Sequence, residues 1–277
     1  MSLPSAEIGV FGGTAFYSFL DDVEEVAVQT PFGAPSGPLA VGALGGRRVA
    51  FLPRHGSGHA VPAHRVNYRA NLWALRRLGV RRVLAPCSVG SLQPEVKPGD
   101  FVVCDQLVDR TSGRADTFFD GPLPAHISFA DPYCPELGPV VVGAARAEGV
   151  TVHERGTVVV IQGPRFSTRA ESRWFSSAGW QVINMTQYPE AALARELGMC
   201  YSGLALVTDY DAGTGPEGPD GGGERAEAVT MEAVFRVLAE NVERVKAVLH
   251  RVIPAVPDTA GCGCAAGAMD PGSLPAQ

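Results

Sequence analysis

Hydrophobic positions along the chain follow two periods. Short runs rich in β-branched and aromatic residues read as strands at Glu7–Phe11, Arg47–Leu52, Arg82–Pro86, Phe101–Cys104, Gly156–Ile161, Val182–Met185 and Tyr201–Thr208. Helical patterns lie between several of them. Val66–Leu78 has helical composition, Thr168–Ser177 opens with a Thr168-x-x-Glu171 capping box, and Glu190–Leu197 is rich in Ala, Leu and Glu. The last helical stretch is the clearest, because Val234, Leu238, Val242, Val245, Leu249 and Val252 recur at three- and four-residue steps behind Thr230, a suitable cap. Strands alternating with one-sided helices predict an α/β sheet protein.

Two stretches break the pattern. Ala212–Gly223 holds six Gly and two Pro in twelve residues, which predicts a mobile loop. Residues 254–277 are rich in Pro, Gly and Ala and are expected to form a poorly ordered tail after a single domain spanning 1–253. With 277 residues, 45% hydrophobic and 19% charged, the chain can bury a core without covalent staples. A net charge of −6 and the lack of a long Lys/Arg run argue against nucleic acid or an anionic membrane as the main partner, and for a small molecule. No apolar run reaches the ~18–20 residues of a membrane span and the start has no signal-peptide layout, so a cytoplasmic protein is expected. Of six cysteines, Cys87, Cys104, Cys134 and Cys200 fall in core-like segments and are expected to be buried and reduced, whereas Cys262 and Cys264 lie in the tail, where exposed thiols are expected.

Candidate chemistry gathers where strands end. Gly12-Gly13-Thr14 offers free backbone amides and a hydroxyl to an oxyanion, although the dinucleotide-binding glycine pattern is absent. Arg54-His55-Gly56 projects a guanidinium fork and an imidazole from the next strand end, into the same region if those strands are parallel. His55, His59 and His64 lack helical spacing and a carboxylate neighbour, so no metal site is expected there. Gly163-Pro164-Arg165-Phe166-Ser167 puts an aromatic ring where a planar heterocycle can stack. Asn184-Met185-Thr186 pairs an apolar wall with a hydroxyl, and Thr208-Asp209-Tyr210-Asp211 sets two acids at a strand end, where burial and like charge can keep one protonated. Each motif alone also has an ordinary structural reading as a turn, a helix start or a solvated strand end.

Taken together and in order, these motifs resemble the methylthioadenosine phosphorylase branch of the trimeric purine nucleoside phosphorylases. The resemblance covers about residues 9 to 253 and includes Phe51 to Gly56, Val66 to Leu75, Gly90-Ser91-Leu92, Asp105 to Thr111, Gly163 to Phe166, Asn184 to Thr186 and Thr208 to Asp211. It implies one domain of the nucleoside phosphorylase fold, with a mixed, partly barrel-like sheet flanked by helices. It also implies a homotrimer, able to pair into a hexamer, with active sites near subunit boundaries. By resemblance, Thr14, Arg54, His55 and Thr186 bind phosphate, and Met185 contacts the ribose hydroxyls. Phe166 and Ser167 line the base pocket with Asp209 and Asp211. His126 is lent to the neighbouring subunit's 5′ pocket, and Val229 to Val234 complete that pocket. The implied reaction is phosphorolysis of a 5′-deoxygenated adenine nucleoside, with inorganic phosphate as co-substrate and neither cofactor nor metal. Asp209 is the expected acid at N7 and Asp211 the acceptor for the exocyclic amine.

Departures accompany the match. Cys87 stands where family members commonly carry Thr or Ser, so Ser88 or a backbone amide must substitute for that hydroxyl. Gln162 replaces a frequent acid, and Gln187-Tyr188 follow Asn-Met-Thr where small or apolar residues are usual. The Cys262-x-Cys264 ending resembles one seen in some members; free thiols are expected. Alternative readings are a 6-oxopurine nucleoside phosphorylase, an enzyme for 5′-halogenated or 5′-deoxy substrates, and an inactive nucleoside-binding homologue.

Overall fold

The computed structural model describes residues 3–13, 16, 19–121, 125–212, 214–215, 229–266 and 268, with backbone alone at 231 and 233. The central strand pair is β5 (Arg82–Ser91) and β11 (Cys200–Tyr210), parallel along nearly their whole length. Beside β5 run β1 (Ile8–Gly12), parallel to it, then β4 (Arg47–Pro53), parallel to β1, and the antiparallel β3 (Leu39–Leu44) and β2 (Glu24–Val26). The end of β5 instead pairs antiparallel with β10 (Val182–Asn184), which leads through parallel β9 (Thr157–Ile161) to β7 (Gln106–Arg110). On the other side β11 pairs with β6 (Phe101–Val103), and β6 with β8 (Val152–His153). These eleven strands form one mixed sheet, branched at β5.

Alternation along the strands serves helices on both faces. In β11, Tyr201, Ala205 and Val207 join the cluster beneath α1 (Tyr68–Arg77) and α4 (Gln187–Glu196), while Leu204 and Leu206 join the cluster beneath α2 (Leu137–Ala147) and α5 (Met231–Ala255). A smaller cluster of Leu92, Val159, Ile161, Phe175 and Ile183 seats α3 (Arg169–Ser177), whose Thr168/Glu171 capping box is formed as expected. No described helix is long and apolar enough to cross a membrane.

Three differences from the sequence reading have physical causes. First, β5 continues past Pro86 to Ser91. At Pro86 itself the strand pairs with β11 alone, β1 having left at Leu84 and β10 joining only at Gly90, so a proline costs no ladder on the free edge. Second, α2 was not expected, because its sequence LGPVVVGAARA mixes Pro, Gly and β-branched residues. Pro139 lies in the first turn, where its missing N–H does no harm, and burial of Leu137, Val141, Val142 and Ala145 outweighs weak propensity. Third, the tail is not loose from residue 254: α5 runs to Ala255, a 3-10 turn spans Gly263–Ala265, and Cys264 is buried rather than exposed, because apolar contacts anchor it to the α2/α5 side. Most of the predicted loop 212–223 and the end of the tail lie outside the described residues.

Candidate active site

A cavity of about 370 Å³ opens where β1, β4, β5, β9, β10 and β11 end. Parallel pairing puts Gly12 opposite Pro53, and the Arg54 amide donates to the Gly12 carbonyl at 2.8 Å. The glycine turn and the Arg54-His55 pair therefore reach one region, and Gly13, Arg54 and His55 all line the cavity. Thr14 lies outside the described residues.

Arg54 is 1% exposed and fully partnered on one side. Its Nε and Nη2 donate to the two carboxylate oxygens of Glu190 at 2.6 and 2.8 Å, and Nη1 donates to the Pro86 carbonyl at 3.2 Å. The guanidinium also sits 5.1 Å over the Phe11 ring. Burial opposes its charge, but Glu190 more than compensates and holds it firmly protonated. Among the described residues, two of the five N–H donors of the fork remain for a ligand. Glu190, itself buried on α4 and accepting from the Tyr201 hydroxyl at 2.8 Å, was missed by the sequence reading. The available signal was an acid among alanines on a helix facing an interior arginine.

His55 is neutral. Burial, with the Arg54 charge beside it, pushes its imidazole down to about 3. Its Nδ1 lies 2.9 Å from the Val61 carbonyl, so Nδ1 carries the proton and Nε2 keeps a lone pair. The ring stacks on His59 at 4.2 Å.

At the other end of the cavity the two acids leave β11 by a bulge. Val207 pairs with Val89 and Asp209 with Gly90, so Thr208 is the extra residue and the following side chains are re-aimed. A Cβ on Gly90 would lie 3.1 Å from Asp209 Oδ1 and 3.2 Å from Asp211 Cβ, so glycine makes room for both acids. Burial pushes the Asp209 carboxyl up to about 6, against the Thr208 hydroxyl that donates to it at 2.7 Å and with a push from Asp211. Asp211 is buried, and its Oδ2 accepts from Ser167 and, at 2.5 Å, from Ser172. One oxygen is thus held by two hydroxyls while Oδ1 is left for another donor. Ser172, in the first turn of α3, is a second residue the sequence reading missed.

Met185, Thr186 and Phe166 line the space between, with Ile161 and Ile183. Arg114 fixes this wall: it donates to the carbonyls of Met185 at 3.0 Å and Gln162 at 2.9 Å, and to that of Tyr188. Thr186 caps α4 without a side-chain cap hydrogen bond. Cys87 is buried and accepts from Gln187 at 3.2 Å and Asn184 at 3.4 Å. The neighbouring Ser88 also lines the cavity, and its buried hydroxyl has no partner among the described residues.

Other expected site residues lie elsewhere. Ser167 does not line the cavity but stands behind Asp211. Val234 does line it, whereas Val229 packs on the apolar cluster beneath α5, drawn there by the same hydrophobic stripe. His126 is exposed and away from the cavity of its own chain.

Comparison with known proteins agrees with this arrangement of strands. The profile of the phosphorylase superfamily matches residues 7–254. A purine nucleoside phosphorylase of Streptomyces coelicolor is 54% identical, over 96% of each chain. An S-methyl-5′-thioadenosine phosphorylase of Mycobacterium tuberculosis is also 54% identical, over 92% of this chain and 91% of that one. The crystal structure of Schistosoma mansoni methylthioadenosine phosphorylase with adenine superposes with a TM-score of 0.84 at 36% identity, covering 92% of this chain and 93% of that one. With identity sustained over almost the whole length and the same fold, this chain belongs to the phosphorylase superfamily and, within it, to the methylthioadenosine phosphorylase family.

Proposed function

We propose that this chain cleaves 5′-methylthioadenosine and related 5′-deoxyadenosine derivatives by phosphorolysis, giving adenine and the 5-modified ribose 1-phosphate. A phosphate oxygen attacks C1′, the C1′–N9 bond breaks, and the purine leaves as it gains a proton at N7. That path develops positive charge on the sugar and negative charge on the base, so it needs an anion at one end and a proton donor at the other. The observation that carries the proposal is a single cavity with the Arg54 fork at one end and, at the other, a carboxyl whose pKa lies near 6.

In this reading Arg54, the hydroxyls of Thr14, Thr186 and Ser88, and His55 hold phosphate. Because Nε2 of His55 is an acceptor, the histidine takes the hydrogen of a protonated phosphate oxygen. Met185 packs against the ribose and Phe166 against the purine. Asp209 donates to N7 once the base excludes water and raises its pKa further. Asp211, oriented through Oδ2 by Ser167 and Ser172, accepts from the adenine amine through Oδ1. Val234 and Ala63 give the 5′ substituent an apolar wall.

The exposed His126 suits a residue that serves a neighbouring subunit, and we extend the proposal to a homotrimer. A solution mass near three chains by light scattering is expected, and a monomer would remove His126 from the site. The reaction itself is tested by 31P NMR during turnover: a sugar 1-phosphate should appear in step with adenine, whereas free methylthioribose would mean hydrolysis.

A further inference from the structure

Far from the cavity, three separate segments bring four thiols together. Cys134 precedes α2, Cys200 opens β11, and Cys262 and Cys264 flank the start of the last 3-10 turn. Their sulfurs all lie within 4.8 Å of one another, the one such group of metal-ligating side chains among the described residues. Cys262 Sγ is 3.7 Å from Cys134 Sγ and 3.4 Å from Cys200 Sγ. An ion bound tetrahedrally by thiolates at about 2.3 Å sets sulfurs roughly 3.8 Å apart, the edge of that tetrahedron. A disulfide would require a separation of about 2.05 Å.

We propose that Cys134, Cys200, Cys262 and Cys264 form a closed tetrahedral zinc site that clamps the C-terminal segment to the start of β11 and α2. Four soft ligands in tetrahedral array select zinc over hard cations, and with all four positions filled by protein thiols none is left open for water or substrate, which makes the site structural. Binding releases the thiol protons to solvent and leaves four sulfur–zinc bonds with no change in oxidation state. Cys200 and Asp209 stand at opposite ends of β11, about 30 Å apart at the rise of a strand, so the clamp takes no part in the chemistry of the cavity. The site lies hidden in the sequence because only Cys262-x-Cys264 is a local motif, and its partners are 128 and 62 residues distant.

The test uses the full chain purified without chelator or added reductant, with metal measured by plasma mass spectrometry. About one zinc per chain is expected, retained through dialysis against EDTA and released by a mercurial thiol reagent. Cobalt substitution should give the tetrahedral d–d bands and the intense near-ultraviolet sulfur-to-cobalt band of a thiolate site. Cys264→Ser should lose the metal and melt earlier while nucleoside turnover is unchanged. The proposal is overturned if the wild-type protein holds no zinc and takes none up after reduction and zinc addition, whether its thiols are then found free or disulfide-bonded. It is equally overturned if Cys264→Ser holds as much zinc as wild type.

Discussion

Arg54 and Glu190, 136 positions apart in the chain, face each other through two parallel hydrogen bonds of 2.6 and 2.8 Å, with side chains 1% and 0% exposed. Such a pair is stable only while both charges are present, since either alone would be a buried, uncompensated ion. Glu190→Gln should therefore lower stability by about 3–5 kcal/mol in urea unfolding at pH 7. A variant that unfolds at the wild-type midpoint would show that the pair is replaceable. Phosphate should raise the melting temperature of the variant more than that of wild type, because it can supply the missing countercharge.

Asp209 carries a stability cost that reverses with pH. Its folded pKa is raised from 3.8 to about 6, so the folded state binds the proton more tightly than the unfolded chain does. The stabilisation from that proton is complete below about pH 4 and is lost as pH rises through 6. Asp209→Asn does not titrate. Relative to wild type it should gain about 1–2 kcal/mol between pH 4 and pH 7, less than the full shift implies because the half-buried carboxyl meets cavity solvent. Stability curves at both pH values decide this, and a constant difference would contradict it. The same variant should lose about 10²–10⁴-fold in turnover as the acid at N7 disappears.

Asp211 tests base preference. With Oδ2 committed to Ser167 and Ser172, an Asp211→Asn change can present an amide donor where the adenine amine needs an acceptor. kcat/KM for adenine nucleosides should fall about 10–100-fold, with a smaller fall or a gain for 6-oxopurines. Equal losses for both classes would assign Asp211 a purely structural role.

Ser88 tests the phosphate end. Its hydroxyl, next to Cys87, has no hydrogen-bond partner among the described residues, and Ser88 lines the cavity. Ser88→Ala should raise KM for phosphate about 5–10-fold and leave KM for the nucleoside unchanged, as expected for one lost hydrogen bond of about 1 kcal/mol. Unchanged phosphate kinetics would place the missing donor on the backbone.

Much of this architecture is legible in the sequence because strand ends carry it. The hydrophobic runs that become β1, β4, β10 and β11 each stop at a polar motif, and the parallel pairing of β1, β4 and β11 with the antiparallel docking of β10 on the end of β5 brings Gly13, Arg54, Thr186 and Asp209 to one cavity. What stayed hidden depends on partners chosen in three dimensions. Glu190 reads as one more helix former until Arg54 is found opposite it, and Ser172 reads as surface until α3 is turned toward Asp211. The bulge at Thr208 leaves no pattern in the sequence, yet it aims both acids. Val229 shows why apolar residues are harder to assign: its character suits a pocket wall and a core equally, and in the single chain it packs against the core beneath α5.

The most direct measurement is base release from methylthioadenosine, adenosine, 5′-chloro-5′-deoxyadenosine and inosine, each with and without phosphate, followed by chromatography. Adenine should appear only with phosphate, fastest from the 5′-modified nucleosides. Preferential release of hypoxanthine, adenine release that ignores phosphate, or no release from any nucleoside would contradict the proposed reaction.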